Sequence, residues 1–249
     1  PLSLHHNLYS DMTSRNPRIG NDGNGVVLGG ANEGSINNIR NNVIYNWEGA
    51  CNLATGRFNL VANYWRPGPN TDFKRDFFPI APKAEAQNVT TGFLNGNVFE
   101  WKPEWNTDNY AAFQWGVRGG KYVGEVTKEK FAQAAEVVPA SERPVTQSAE
   151  AAYELVLETA GASKVRDAAD QRIIAGVKDR THRRIDSQKE VGGWPQLESG
   201  TALTDSDRDG LPDIWEKERG LNANDPADAN ATQNDGYTNL EHYLNSLVP

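Results

Sequence analysis

The chain has 249 residues and carries 33 acidic against 25 basic side chains, a formal net charge of −8 at pH 7. An acidic balance of this size argues against a general nucleic-acid or anionic-membrane binder, because both need a basic excess. No apolar run in the sequence approaches the roughly 18 residues of a membrane span, and the single cysteine excludes an intrachain disulfide.

The first residues already have the pattern of a strand from the middle of a domain. They read PLSLHHNLYS, and the chain does not begin with Met. We therefore expect this chain to be the C-terminal part of a longer protein.

Residues 1–145 contain a repeated pattern of short strands. An Asn is followed by large apolar residues in HHNLY, RNNVIYNW, VANYW and LNGNVFEW. The shared asparagines are Asn7, Asn42, Asn63 and Asn97, at spacings of 35, 21 and 34 residues. Recurring strands with one Asn in register indicate stacked coils, in which Asn side chains hydrogen-bond from coil to coil. The pattern favours an all-β fold, a right-handed parallel β-helix, over an antiparallel β-sandwich with Asn in its turns.

Residues 146–198 change in composition and predict an α-helical extension packed on the β-helix. In TQSAEAAYELVLETAGAS, the apolar positions at helical spacing are Ala151, Leu155 and Val156. Either Ser148 or Thr146 can cap this helix, and Gly161 can end it. A second amphipathic helix is predicted over 166–184, where basic residues gather near the C-terminus.

Residues 199–249 carry the most specific spacing in the chain, DSDRDGLPDIWE at 205–216. This spacing matches an EF-hand-like calcium loop, with Gly210 at the sharp turn. The expected ligands, one of them through its backbone carbonyl, are Asp205, Asp207, Asp209, Leu211, Asp213 and Glu216. Acidic side chains this close repel one another without a cation, so we expect a structural Ca²⁺ that keeps this tail folded. The later stretch NDGYTNLEHYLN lacks the leading acids of a second site.

Two arginines flank a proline in SRNPRIG. Arg15 and Arg18 are three residues apart, in a stretch with few apolar residues. Pro17 fixes its own φ and stiffens the turn that presents both side chains. One interpretation is a turn stabilised by surface ion pairs, each contributing about 0–1 kcal/mol. The other is a local cationic cleft for a polyanion.

Several stretches together resemble the later coils of the family 1 polysaccharide lyases, the pectate lyases. They are HHNLYSDMTSRNPRIG (5–20), NNVIYNWEG (41–49) and NYWRPGPNT (63–71). The stretches AAYELVLETAGAS, RDAADQRI, VGGWPQL and DGLPDIWEKERGLNANDPADAN resemble the C-terminal extension of bacterial members. The resemblance covers nearly the whole chain and also implies a right-handed parallel β-helix.

The resemblance implies a calcium-assisted β-elimination on de-esterified polygalacturonate, the acidic polymer of pectin. In such a reaction a base removes the C5 proton, the C4–O bond breaks, and an unsaturated sugar end remains. Arg15 aligns with the family's arginine base, and Arg18 aligns with an arginine suited to gripping a carboxylate. Gly20 stands where the pattern has its last arginine, which weakens the match for substrate binding. Arg66, on a later coil, can extend the cationic surface.

The resemblance also implies that part of the catalytic apparatus lies elsewhere. In the family, the acids that bind the catalytic Ca²⁺ lie on earlier coils, and no residue here matches them. We therefore expect the chain alone to have little or no lyase activity. A polymer substrate and the use of calcium imply a secreted protein, and we expect a monomer.

Two other functions remain open from the sequence. The first is a non-catalytic carbohydrate-binding or cell-surface β-helix protein, stabilised by calcium in its tail. The second is an interaction module that docks on a scaffolding protein through the calcium loop, although such modules usually need two duplicated loops. Binding of polygalacturonate without any unsaturated product would favour the first of these alternatives over the lyase.

Overall fold

A computed structural model describes residues 2–19, 36–48, 52–53, 57–73, 78–80, 91–115, 117–118, 121–122, 127–197 and 199–247. The chain separates into two compact units. The first comprises Pro1–Ala160 and Ala168–Gly193, and the second comprises Gly161–Asp167 and Trp194–Pro249. The predicted division at residues 145 and 198 stays a prediction. None of the helices within the described ranges combines the length and hydrophobicity of a membrane-spanning segment.

The first unit consists mainly of short strands that recur in groups of three. In chain order the strands are β1 (Leu2–His5), β2 (Leu8–Ser10), β3 (Arg18–Ile19), β4 (Ile36–Arg40), β5 (Val43–Tyr45), β6 (Asn52–Leu53), β7 (Arg57–Val61), β8 (Tyr64–Arg66), β9 (Phe78–Ile80), β10 (Thr91–Asn95), β11 (Val98–Phe99), β12 (Phe113–Trp115), β13 (Val117–Arg118) and β14 (Lys121–Tyr122). Parallel pairing joins β1-β4-β7-β10 into one sheet and β2-β5-β8-β11 into a second. In the third position of the coils, β3 pairs with β6 and β9 pairs with β12, again in parallel, whereas β13 and β14 are antiparallel.

The register of the parallel strands matches the spacing of the repeated asparagines in the sequence. From β1 to β10, successive pairings in the first sheet join residues that are 35, 21 and 34 positions apart. Each coil is therefore stacked directly on the next, as in a repeat protein whose units contact only their neighbours. These strands have a β-helix-like arrangement, and the alternative of an antiparallel β-sandwich is wrong for them.

The corner between the first and second strands of each coil is a two-residue turn. Its first residue has a positive φ and its second is one of the repeated asparagines. The first-position residues are His6 (φ 54°), Asn41 (54°), Ala62 (51°) and Gly96 (66°). The asparagine amides bond from coil to coil, Nδ2 to Oδ1, in the pairs Asn7–Asn42 (2.9 Å), Asn42–Asn63 (3.0 Å) and Asn63–Asn97 (2.9 Å). The predicted Asn stacking is confirmed, and Asn109 extends it by one more bond of 2.9 Å.

The second strand of each coil is buried on both faces, and its successive side chains belong alternately to two different cores. In β5, Ile44 belongs to the core inside the coils, whereas Val43 and Tyr45 belong to a separate core on the outer face. In β8, Trp65 lies in the inner core and Tyr64 packs against the outer one. Because successive strand side chains point to opposite faces, a strand that is covered on both sides reads as an uninterrupted apolar run.

Two helices supply the cover on the outer face of the second sheet. The helices of the first unit are α1 (Glu104–Thr107), α2 (Lys128–Phe131), α3 (Ala149–Thr159) and α4 (Ala168–Asp179), with 3-10 turns at Asn109–Ala112, Ala140–Glu142 and Gln188–Val191. Helix α3 begins after Ser148, one of the two predicted caps, whose Oγ accepts a hydrogen bond from Ala151 N at 3.2 Å. It ends at Thr159, just before Gly161. Helix α4 is shorter than the predicted 166–184.

The buried face of α3 agrees only in part with the predicted one: Val156 is buried and Leu155 is half-buried. Ala151 is exposed, and the buried residues are Ala149, Ala152, Tyr153, Val156 and Leu157. Alanines occupy both faces of the first turns, so hydrophobic periodicity alone does not fix the face. The Tyr153 ring lies 4.8 Å from the Tyr64 ring of β8, and this aromatic contact belongs to the core that orients the helix.

The second unit has a small core of its own. It contains α5 (Asp213–Arg219), a 3-10 turn at Asp228–Asn230, and α6 (Asn239–Ser246). Its buried apolar residues are Leu211, Trp215 and Ala229, with Leu221, Leu240 and Tyr243 packed against them. Gly220, with a φ of 72°, ends α5 in the left-handed conformation. Thr238 and Glu241 form a capping box at the start of α6.

Candidate functional site

The arginine turn is the segment 11–17, which connects β2 to β3 in the first unit. Arg15 is exposed and has a φ of 65°. This left-handed conformation costs a non-glycine residue of the order of 1 kcal/mol. The next two residues, Asn16 and Pro17, are buried. Their burial fixes the backbone on one side of Arg15 while the Arg15 side chain faces solvent.

Asp11 fixes the other end of the arginine turn. Its Oδ2 lies 2.6 Å from His182 Nδ1, and its Oδ1 accepts a hydrogen bond from Asn46 Nδ2. Burial raises the pKa of Asp11, but hydrogen bonds from His182, Ser10 and Asn46 outweigh burial, and the net pKa lies below its ordinary value. Asp11 is therefore ionised at neutral pH. Because a carboxylate only accepts hydrogen bonds, His182 Nδ1 is the donor.

The residues after α4 contact the same corner of successive coils. We call 180–184 the extension strap. The carbonyl oxygen of His182 accepts a hydrogen bond from Tyr45 Oη at 2.8 Å. Arg184 N donates to Asn70 Oδ1 at 3.0 Å. The strap thus links the corners of three coils and includes the histidine that bonds to the arginine turn.

A second link joins the strap to the arginine turn through Glu48. The Arg184 guanidinium forms an ion pair with the Glu48 carboxylate. The backbone N of Glu48 donates to the carbonyl oxygen of Met12 at 3.1 Å. All of these residues lie in the first unit. The extension strap therefore holds the arginine turn through two sets of contacts, one from His182 to Asp11 and one from Arg184 through Glu48 to Met12.

Of Arg18 the structure describes only the backbone. It begins β3, where it pairs in register with Asn52 of β6. The Arg18 side chain and the whole of Gly20 lie outside the described residues. The predicted role of Arg18 in binding a carboxylate therefore stays a prediction.

Arg66 is occupied by contacts within the protein. Its Nε donates to the carbonyl oxygen of Val177 at 3.0 Å, and its Nη2 donates to that of Lys178 at 2.8 Å. Its Nη1 pairs with Glu100, and its guanidinium lies 5.3 Å from the centroid of the Tyr153 ring. A cation at the carbonyl end of α4 is favourable. These contacts join β8 to α4, and the predicted role of Arg66 in binding substrate stays a prediction.

The predicted calcium loop brings acidic side chains together in the second unit. Asp205, Asp207 and Asp209 are partly buried, whereas the residues between them are exposed. Carboxylate oxygens of these three aspartates lie within 4.8 Å of one another. A second group, also within 4.8 Å, joins Asp209 to Glu216 and Asp228. Within the described range 199–212 no helix precedes the loop, so the first helix of an EF-hand has no counterpart there.

Glu216 is the most constrained of these acids. It has no exposed surface, and neither Oε1 nor Oε2 has a hydrogen-bond partner among the described residues. Burial, together with the nearby carboxylates of Asp207, Asp209 and Asp228, raises the pKa of Glu216 to about 7. A buried carboxylate without a donor is expensive, and a bound divalent cation removes that cost. The donor set, made of carboxylate oxygens, fits a hard cation such as Ca²⁺.

Asp213 and Leu211 are placed differently from the other predicted ligands. Asp213 Oδ1 accepts a hydrogen bond from Ser206 N and Oδ2 accepts one from Ser206 Oγ, both at 2.7 Å. Asp213 belongs to neither acidic group. Leu211 is fully buried, and its N donates to Asp209 Oδ1 at 2.8 Å. The two acidic groups thus contain four of the predicted ligands and one residue that was not predicted, Asp228. The predicted roles of Asp213 and of the Leu211 carbonyl as ligands stay predictions.

Contacts that join distant segments are not indicated by the sequence. Asp11 meets His182 across 171 residues, and nothing in either local sequence indicates the pairing. Asp228 follows Glu216 by twelve positions and lies outside the loop that predicted the metal site. Asn109 was the one missed residue with a usable signal, because it continues the asparagine repeat after Asn97.

The chain is similar to curated fungal proteins, although no protein-family model matches it. It is 31% identical to the "Probable pectate lyase C" of Aspergillus flavus over 259 residues. It is 30% identical to the protein of that name from Aspergillus fumigatus over 257 residues, and 31% identical to that of Aspergillus terreus over 261 residues. Each alignment covers 100% of this chain and 54% of the relative. The chain thus spans about half the length of the curated relatives it matches.

Proposed function

Because the chain belongs to the pectate lyase family, we propose that it is the C-terminal portion of a lyase that cleaves de-esterified polygalacturonate by calcium-assisted β-elimination. Its coils form a right-handed parallel β-helix, as the right-handed rule for parallel crossovers favours. The protein is secreted, since its polymer substrate is too large to be handled inside a cell. The helical extension and the calcium-binding tail complete the chain.

Arg15 is the base in this proposal. The observation that carries the assignment is the Arg15 side chain, which is exposed on a turn whose following residues are buried. In the reaction, the C5 proton of a uronate passes to the Arg15 guanidine. The electron pair of the C–H bond forms the C4–C5 double bond, and the C4–O bond breaks. The leaving oxygen takes a proton from water, and the hydroxide that remains takes the proton from the Arg15 guanidinium, which restores the neutral base.

Arg18 binds a uronate carboxylate beside the base, and Arg66 extends the cationic surface only if it can leave its contacts with α4.

The two acidic groups among the described residues both lie in the tail. Carboxylates for a catalytic Ca²⁺ are therefore expected outside the described residues. When bound, such an ion lowers the energy of the charge that develops on the uronate carboxylate. The tail's own Ca²⁺ has a structural role.

The test is Arg15→Lys in the natural full-length protein, assayed by the absorbance of the unsaturated product. A general base contributes about 10²- to 10⁴-fold to a rate, so kcat should fall at least about a hundredfold with an unchanged melting temperature. Arg57→Lys, at an exposed position of β7, is the matched control and should retain full activity. If Arg15→Lys keeps normal kcat, Arg15 is not the base.

A further inference from the structure

Six carboxylate oxygens in the second unit are buried and have no hydrogen-bond partner among the described residues. They are Oδ1 and Oδ2 of Asp207, Oδ2 of Asp209, Oε1 and Oε2 of Glu216, and Oδ1 of Asp228. A buried acceptor left without a donor loses the free energy of its hydration. Ca²⁺ takes six to eight oxygen ligands, many from carboxylates. These oxygens therefore match one calcium ion in number and in chemistry.

Asp228 is held in this group by segments outside the loop. It begins the 3-10 turn at Asp228–Asn230, and its Oδ2 accepts a hydrogen bond from Asn222 N at 2.9 Å. Its carbonyl oxygen accepts a hydrogen bond from the buried Asn239 Nδ2 at 2.8 Å. One carboxylate oxygen is thus used for support. The other, Oδ1, remains for the group formed with Asp209 and Glu216.

Asp213 has the opposite arrangement. Both of its oxygens accept hydrogen bonds from Ser206, and it is the first residue of α5. A carboxylate in the first turn of a helix is favourable there without any metal. Asp205 also accepts hydrogen bonds at both oxygens, from Arg208 N and Gly210 N, but its carboxylate lies in an acidic group, whereas that of Asp213 lies in neither. Asp213, at the ninth position of the loop, therefore supports the loop backbone.

We propose that Asp228 is a ligand of the tail calcium ion and that Asp213 is not. This inference rests on the proposed calcium binding by the tail. The site then spans 205–228 rather than the twelve residues 205–216. Bound calcium fixes the loop, α5 and the turn that contacts α6 together, because Asp228 bonds to Asn239 of that helix. The ion would organise the whole tail rather than one loop.

The experiment measures Ca²⁺ binding to the full chain by isothermal titration calorimetry after chelator treatment. Asp228→Asn keeps the size of the side chain and an acceptor for Asn222 N but removes a charged ligand, so affinity should fall at least about tenfold. Asp213→Asn should leave the affinity within about threefold of wild type. Asp225→Asn is the matched control, because the Asp225 side chain is exposed and accepts only from Ala227 N among the described residues. Circular dichroism without calcium checks the fold of each variant.

The outcomes separate this inference from the proposed function. If wild type binds no Ca²⁺, the proposed calcium-binding tail fails and the inference fails with it. If wild type binds but Asp228→Asn binds equally well, only the inference is overturned, as it is if Asp213→Asn causes the tenfold loss. If Asp228→Asn does not fold, Asp228→Glu takes its place. That variant should weaken binding at least about threefold, and wild-type affinity would overturn the inference.

Discussion

Two arginines of the first unit show how the environment decides the role of one residue type. The guanidinium of Arg66 bonds to Glu100 and to the last carbonyls of α4, and it stabilises packing. The Arg15 side chain is exposed on the arginine turn, whose first residue, Asp11, is hydrogen-bonded to His182. The residue with the fewer internal contacts is the better candidate for binding a polyanion, and motif spacing alone does not make this distinction.

At the scale of single residues, Asp11 leads to a prediction about how the free energy of unfolding depends on pH. Asp11→Asn should lower the free energy of unfolding of the first unit by about 2 kcal/mol at pH 7, because a charge-assisted hydrogen bond to His182 is lost. The pKa of Asp11 is lowered in the folded state. Its stabilisation is therefore fully present above the unfolded value near 4 and disappears as pH falls through the lower, folded value. Urea unfolding of both proteins between pH 7 and pH 2 measures the difference.

The control for this experiment is Asp186→Asn, at an exposed aspartate of the same unit. We expect it to change stability by no more than about 0.5 kcal/mol at any pH in the series. A gap between wild type and Asp11→Asn that stays constant down to pH 2 would show that the Asp11 charge does not stabilise the fold.

At the scale of elements, the stacked asparagines, Asn7, Asn42, Asn63, Asn97 and Asn109, lead to a prediction about stability. Asn63 is fully buried, donates to Asn97 Oδ1, and accepts from both N and Nδ2 of Asn42. Asn63→Leu keeps the volume but leaves several buried polar groups without partners, each worth about 1–3 kcal/mol. The first unit should lose at least about 3 kcal/mol in urea unfolding. Asn95→Ala, at an exposed position of β10, should cost less than about 1 kcal/mol.

The extension strap makes a prediction about motion in the arginine turn. His182→Ala removes the bond to Asp11 without changing Arg15, so amide hydrogen exchange in 11–17 should quicken about tenfold, the effect of roughly 1.4 kcal/mol of lost local stability. Arg183→Ala is the matched control, because Arg183 is exposed and adjacent in the strap. Equal exchange in wild type and His182→Ala would mean that the strap does not hold the turn.

The elements that could be predicted from the sequence are those whose signal repeats along the chain or lies in a few adjacent residues. The asparagine spacing predicted the stacked coils. The sequence offered Ser148 and Thr146 as caps of α3, and the structure uses Ser148. The buried face of α3 was not predictable, because alanines lie on several faces and Tyr64 of a distant strand decides the orientation. For the same reason, Asp228 could not be chosen as a ligand candidate, since the turn that delivers it depends on Asn222 and Asn239.

At the scale of the whole molecule, we expect the second unit to depend on the proposed tail Ca²⁺ for its stability, unlike the first unit. Its core is small, and small domains are marginal without a metal or disulfide. Chelation should lower its melting temperature by about 10 °C or more, since saturating ligand contributes about 3 kcal/mol and each kcal/mol shifts a domain of this size by about 4–8 °C. Calorimetry with calcium, with chelator and with magnesium restored tests this. An unchanged second transition in chelator would contradict it.

The proposal that part of the catalytic apparatus lies outside these 249 residues leads to the last prediction. Relatives are about twice as long as this chain, since it covers 54% of each, and the acidic groups among the described residues lie in the tail. The isolated 249-residue chain should therefore form unsaturated ends at least about a hundredfold more slowly than the full-length protein, because a catalytic metal contributes several kcal/mol. Affinity electrophoresis in polygalacturonate should still retard the isolated chain. A drop in that retardation with Arg15→Ala and with Arg18→Ala would show binding at the arginine turn and at the adjoining start of β3. Comparable turnover by the isolated chain would place the catalytic acids within these 249 residues.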